Sequence, residues 1–398
     1  MNIKTTISLS LVAVCANALS LEQSIKNVDL DGFLRYRYDA TRVKDIALTQ
    51  PAHKIRLDYK LSLNLADNYK ANAVFRYDTK SFSYSNNAYI KTNDNFHLKE
   101  ANLTYTNFNT SFSFGRLKVP SMFNDGVLVT SFLIDNHSLD NTNINAYFID
   151  NFDLSESSLI NEKAINQISY KIPLKVTNLP KNLKSQIYNQ NLYGLNINYH
   201  NDLINLTLGA DYLNDFAIFY GVDLKSYLGD KNSYHYSFNS QLTSTSLKQN
   251  YKTSLNASNS VFYGVEILVG FKNFDFELGY INYGKKDKAS FVTWHDKGLL
   301  LHSGKTIIDG FYGGIGKREY LYSNISYKYD NFNFLFSIID GGVKLDLAKY
   351  KQTELMPKIV YKYSKQLKFS AFYDYAITKT DMKNIKTYKT RLEAKYSF

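Results

Sequence analysis

A strict two-residue alternation of apolar and polar side chains, sustained over segments of about ten residues, constrains this chain more than any other feature. Between Lys54 and Leu65 it runs without an error: Ile55, Leu57, Tyr59, Leu61, Leu63 and Leu65 alternate with Lys54, Arg56, Asp58, Lys60, Ser62 and Asn64. Successive side chains of a strand point to opposite faces, so the segment has one apolar and one polar face along its whole length. A soluble sheet shows such a pattern over about five or six residues. At roughly 3.3 Å per residue, a strand this long suits a tilted membrane crossing. The implied fold class is all-β, a transmembrane antiparallel β-barrel.

Composition agrees. Thirty-four Tyr and 26 Phe against one Trp, with 5 Pro, suit many strands with few breaks. Beyond the first twenty residues no apolar run approaches the roughly 18 residues a spanning helix needs, and the mean hydropathy is -0.33.

The N-terminus reads as an export signal: Lys4, an apolar stretch from Ile7 to Val14, then Ala16-Asn17-Ala18 as a cleavage site. A signal peptide over residues 1–18 and a single barrel domain over 19–398 follow. The stretch is too short for a membrane anchor, and bulky Val14 before Cys15 disfavours a lipoprotein. Cys15 is the single cysteine, which leaves the mature chain without a disulfide, a zinc-cysteine site or a cysteine nucleophile. A closed hydrogen-bonded barrel supplies the stability that cross-links do not. The net charge of +11 is carried by basic residues spread singly along strands, with no basic arm. Charged solutes, or the anionic surface of outer-membrane lipid and lipopolysaccharide, fit it better than nucleic acid.

Outer-membrane barrels have short periplasmic turns and long external loops. Asp67-Asn68, Asn107 to Asn109, Asn201-Asp202, Lys272-Asn273, Asp330-Asn331 and Ser364 to Gln366 read as periplasmic. Polar stretches near 80–95, 243–258, 285–317, 340–352 and 377–385 then lie outside. Six strands are expected before residue 150, at 28–38, 53–65, 69–79, 97–106, 110–118 and 142–149. Eleven more follow Asn191, at 192–199, 203–213, 215–227, 233–242, 259–271, 274–284, 318–329, 332–340, 353–363, 367–376 and 386–398. The sixth and the first of these eleven both run towards the periplasm, so an odd number of strands must lie in 151–191. One, placed near Ala164 to Ile172, gives eighteen; 16 and 20 are the other even totals. In the last strand Tyr388, Leu392, Ala394, Tyr396 and terminal Phe398 share a face opposite Lys389, Arg391, Glu393, Lys395 and Ser397. A terminal aromatic on such a strand looks like the signal read by outer-membrane insertion machinery.

The opening KNVDLDGFLRYRYD (26–39) resembles the first strand of the Campylobacter-type major outer membrane porin family. FNTSFSFGRLKVPSMFNDG (108–126), NLYG with the strand ending DFAIFYGVD (191–223), and LGYINYGKKDKASF (278–291) agree in the same order. The resemblance covers essentially the whole chain. It implies an eighteen-stranded, homotrimeric general diffusion porin whose third external loop folds inward.

A barrel of about 16 to 18 strands holds an aqueous channel, and diffusion through it needs only a polar lumen. The predicted inward faces supply one: Arg35, Arg37 and Asp39; Lys54, Arg56, Asp58 and Lys60; Lys70, Arg76 and Asp78. By the match at GRLKVPSMFNDG, the inward loop runs from about Lys118 to His137, bounded by Arg116 and Asp140. It carries Asp125 and Asp135, expected to face Arg35, Arg37 and Arg56 and so make a transverse field. The resemblance also implies a calcium site, with Asp125, Asp150 and Asp296 as candidates and His295 where relatives carry a carboxylate. No other cofactor is required. With 7 His and no GxSxG, HExxH or P-loop, the chain does not read as an enzyme. A substrate-specific channel is the second reading. The third is a surface adhesin or structural barrel using loops 151–191 and 285–317.

Overall fold

The computed structural model describes residues 28–44, 48–79, 96–154, 183–230, 233–308, 313–381 and 384–398. The expected signal peptide and the strand expected at 164–172 lie outside these residues.

The barrel strands are β1 (Val28–Val43), β2 (Leu48–Ala66), β3 (Tyr69–Asp78), β4 (Phe96–Asn107), β5 (Thr110–Lys118), β6 (Leu128–Leu139), β7 (Thr142–Phe152), β8 (Leu192–His200) and β9 (Ile204–Leu213). They continue with β10 (Ala217–Gly229), β11 (Tyr234–Leu247), β12 (Ser260–Phe271) and β13 (Phe274–Tyr283). A small hairpin of β14 (Ala289–Phe291) and β15 (Gly313–Ile315) follows, then β16 (Lys317–Tyr329), β17 (Phe332–Lys344), β18 (Lys349–Lys362), β19 (Leu367–Lys379) and β20 (Asn384–Ser397). All but the hairpin form one eighteen-stranded antiparallel sheet. It closes because β1 pairs with both β2 and β20. Gly32 and Phe398 exchange backbone hydrogen bonds of 2.9 and 3.1 Å at the seam, and the absence of a Cβ on Gly32 leaves room for the Phe398 ring.

The alternation read from the sequence is the inside–outside alternation of this wall. On β12, Val261, Tyr263, Val265, Ile267, Val269 and Phe271 are exposed, while Phe262, Gly264 and Gly270 face inward and are buried. A contiguous exposed apolar surface of this kind is a membrane-facing belt. No helix among the described residues is long and apolar enough to cross a membrane.

The strand total is eighteen, but its members differ from the expected set. The missing strand is β6, inside the stretch taken for the inward loop, and β7 pairs directly with β8. Thus β6 descends, the Asp140-Asn141 turn is periplasmic, and β7 ascends. The sequence hides β6 because its inward-facing Val129 and Leu133 are apolar and pack against the interior cluster, while Phe132 and Ile134 on the other face are apolar too. A strand with apolar side chains on both faces carries no alternation to read.

The interior is not uniformly polar either. Phe123, Ile149, Phe152, Ile187, Leu213, Phe216, Phe219, Phe262, Ile281, Phe291, Trp294 and Ile339 belong to one buried apolar cluster. It lies between the inner face of the arc from β7 to β18 and the segments that join strands there. Two of these segments carry short helices, α1 (Leu183–Tyr188) and α2 (Gln249–Ser254). The loop core occupies one side of the lumen.

Candidate solute passage

The other side is charged. Register places Arg35 beside Arg56 on β2 and Lys395 on β20, and Arg37 beside Lys54 and Glu393. All lie on the inner face, as expected for Arg35, Arg37, Lys54, Arg56, Asp58 and Arg76. Three carboxylates hold much of this basic wall in place. Asp58 receives Arg76 Nε and Nη2, each at 2.9 Å, together with the guanidinium of Arg56. Arg391 donates to Asp39 at 2.5 and 3.2 Å, and Arg37 to Glu393 at 2.9 and 2.6 Å. Lys70 is exposed near the periplasmic end of β3. The opposite arc carries Asp223, Glu266, Asp275 and Glu277 on β10, β12 and β13, about half the barrel away.

The β5–β6 loop, residues 119–127, reaches inward. Ser121, Met122, Phe123, Asn124 and Val127 are buried. Asn196 of β8 donates to Pro120 O, Phe123 packs on Phe219 of β10 at 5.7 Å, and Gly209 of β9 leaves space for Met122. These partners lie two to four strands from β6 around the barrel, so the loop lies across inward-facing side chains.

Its anchor is Asp211 of β9, which is fully buried. Ser121 Oγ donates to Oδ2 at 2.5 Å, Trp294 Nε1 donates to the same oxygen at 2.6 Å, and Tyr147 OH donates to Oδ1. The Tyr147 ring lies over Gly194, where any Cβ would collide with it. One carboxylate thus ties together the third loop, β7 and the seventh loop. Three donors on a buried carboxylate offset its desolvation cost.

The stretch 285–317 was expected to project outward, but residues 289–308 of this seventh loop run inside the barrel. His295 N and Leu299 N donate to Phe123 O and Met122 O of the third loop at 3.2 and 2.8 Å. Gln241 of β11 accepts Leu301 N at 2.6 Å and donates to Leu299 O at 3.1 Å. Further on, Glu354 of β18 accepts the backbone N–H groups of Lys305, Thr306 and Ile307, the last at 2.6 Å. Thr306 Oγ1 donates to Asp374 of β19 at 2.5 Å, and Lys389 of β20 donates to Lys305 O at 2.9 Å. The loop therefore spans the lumen from β11 to β20. Burial, with Lys297 nearby, lowers the pKa of His302 on this loop, favouring its neutral form.

Between the third loop and the basic wall lies a cavity of about 630 Å³. Arg56, Lys60, Arg76, Lys99, Lys118 and Lys395 line it together with Phe33, Gly126 and three acids, Asp31, Asp58 and Glu100. Lys118 pairs with Glu100 at 3.7 Å. Arg116 sits above, donating to Lys99 O at 2.8 Å and to Asp153 at 2.5 Å.

Of the expected loop acids only Asp125 lies in the loop, exposed, with its backbone N–H donating to His295 Nδ1 at 3.1 Å. Asp135 is instead on β6, beside His137 and Asn145, because the strand begins at Leu128. Asp150 lies exposed on β7 and Asp296 on the seventh loop. No group of three or more His, Cys, Asp or Glu able to hold a metal ion occurs among the described residues. Sequence reasoning missed Asp211, Tyr147 and Glu354 altogether. The one available signal was that the sole Trp falls in a stretch otherwise read as an external loop.

The family described as Campylobacter major outer membrane protein matches residues 2–398. No curated protein matches the chain. Among solved structures, Acinetobacter baumannii OccAB3 superposes with a TM-score of 0.74 at 12% identity, covering 94% of this chain and 99% of that one. Pseudomonas aeruginosa OccK9 (OpdG) gives 0.71 at 9% identity, covering 94% and 100%. P. aeruginosa OpdK, solved with vanillate, gives 0.69 at 11%, covering 94% and 99%. At such identities the likeness is one of fold.

Proposed function

This chain belongs to the Campylobacter major outer membrane protein family, and we propose that small hydrophilic solutes diffuse through this outer-membrane porin between its third loop and the β20–β3 wall. It is a transport channel rather than an enzyme. The observation that carries the route is the asymmetry of the lumen. Loops and apolar side chains fill the arc from β7 to β18, while the cavity beside β1–β3 is lined by charged groups that keep it wet. Arg35, Arg37, Lys54, Arg56, Asp58, Arg76, Arg116, Lys118 and Asp125 act there as a fixed charge distribution, with Lys70 and Asp135 nearer the periplasmic mouth. Low-dielectric walls strengthen their influence on passing ions.

The apolar belt contacts outer-membrane lipid, its rim meets lipopolysaccharide, and the porin works as a homotrimer, a reading supported by the family. Chemical cross-linking in native membranes tests it, with three-chain products expected. Deep burial in the seventh loop weighs against an adhesin built on residues 285–317.

Conductance of the refolded barrel in planar bilayers tests the route. Asp125→Asn removes an exposed negative charge beside the cavity, so the reversal potential in a salt gradient is expected to move towards anions with the barrel still heat-modifiable. An unmoved potential would remove Asp125 from the passage.

A further inference from the structure

We propose that the passage contains a recognition site for small oxyanions, carboxylates or phosphate, centred on Lys395, an inference that rests on the porin reading above. The charge accounting of the cavity singles this residue out. Asp58 is engaged by Arg56 and Arg76, Glu100 by Lys118, and Lys99 pairs with Asp153 at 3.6 Å. Asp31 stands opposite Lys60 in the β1–β2 register. Lys395 has no acidic partner among the described residues; its Nζ lies 4.3 Å from the centre of the Phe33 ring.

Phe33 gathers positive charge rather than neutralising it. Arg56 and Arg35 lie 5.2 and 5.8 Å from the same ring, so three cations surround one inward-facing aromatic. Arg56 is paired with Asp58 and Arg35 lies 4.0 Å from Glu393, so the charge left uncompensated at this ring is that of Lys395, in a confined space. Lysine and arginine offer several N–H donors there, and an oxyanion with two or more acceptor oxygens can use them together as chloride cannot. Phe33 is a positioning residue in this arrangement.

A second cavity, of about 530 Å³, shares Lys395 and Ser397 with the first and is lined by Lys362, Lys365 and Lys368 at the β18–β19 turn. Lys395 is thus the shared basic residue between the passage and a lysine cluster at the periplasmic mouth. An anion leaving the site meets the next cation without crossing uncompensated space.

Equilibrium dialysis of labelled succinate against detergent-folded protein tests the site apart from conductance. Saturable binding is expected, weakened by about tenfold or more in Lys395→Met, the loss of one charged hydrogen bond. It should return in Lys395→Arg and stay unchanged in Lys272→Met at a distant turn. Competition by phosphate identifies a general oxyanion site; its absence restricts the site to carboxylates. Non-saturable binding, or equal binding by wild type and Lys395→Met, overturns the proposal. A barrel that conducts yet binds no succinate removes the anion site and leaves the porin standing; one that binds succinate and does not conduct removes the porin reading alone.

Discussion

Replacing Asp211 by alanine is expected to free the third and seventh loops from the barrel wall and raise single-channel conductance. Ser121, Tyr147 and Trp294 would each lose the acceptor they donate to inside a dry core. An orphaned buried donor costs about 1–3 kcal/mol, so the three together cost roughly 3–5 kcal/mol if partial relaxation is allowed. The strand ladders do not depend on this carboxylate, and the barrel should remain heat-modifiable. Trp294, the sole tryptophan and fully buried, reports the change directly. Its emission should shift to the red while current steps become larger and noisier. Unchanged emission and conductance would show that the loops are held by apolar packing alone.

Glu354→Ala should loosen the far end of the seventh loop. Its carboxylate accepts three consecutive backbone N–H groups, those of Lys305, Thr306 and Ile307, which have no strand partner to replace it. Loss of the acceptor is expected to cost roughly 2–5 kcal/mol locally. Thr306 would keep its bond to Asp374, so the segment should fray rather than leave the lumen. Hydrogen exchange at 305–307 should accelerate strongly, with little change at β14. Glu354→Gln retains an acceptor oxygen and should fall between. Equal exchange in the alanine variant and the wild type would show that this carboxylate does not hold the loop.

How legible the fold was depended on where an element sits. β2 and β20 face lipid on one side and water on the other, so their side chains had to alternate, and the register follows the sequence pattern. β6 serves the same wall, but its inner face meets the apolar interior cluster through Val129 and Leu133, so both of its faces are apolar. The seventh loop left no periodic trace because an inward-folded segment is fixed by individual hydrogen bonds and packing. Buried Trp294 and Leu300 stand among lysines and glycines that read as surface. The basic wall was readable for the same reason as β2. Its latch was not, since Asp211, Tyr147 and Trp294 are far apart in sequence and meet only through closure.

The most direct test of a passage displaced to the basic wall uses engineered single cysteines in refolded residues 19–398, which contain none of their own. A charged, membrane-impermeant thiol reagent is applied during bilayer recording to Lys60→Cys, which lines the cavity, and to Thr243→Cys, buried on β11. Stable ohmic steps blocked at Lys60→Cys and unaffected at Thr243→Cys are the expected result. Folded barrels without steps, or block from Thr243→Cys and none from Lys60→Cys, would contradict it.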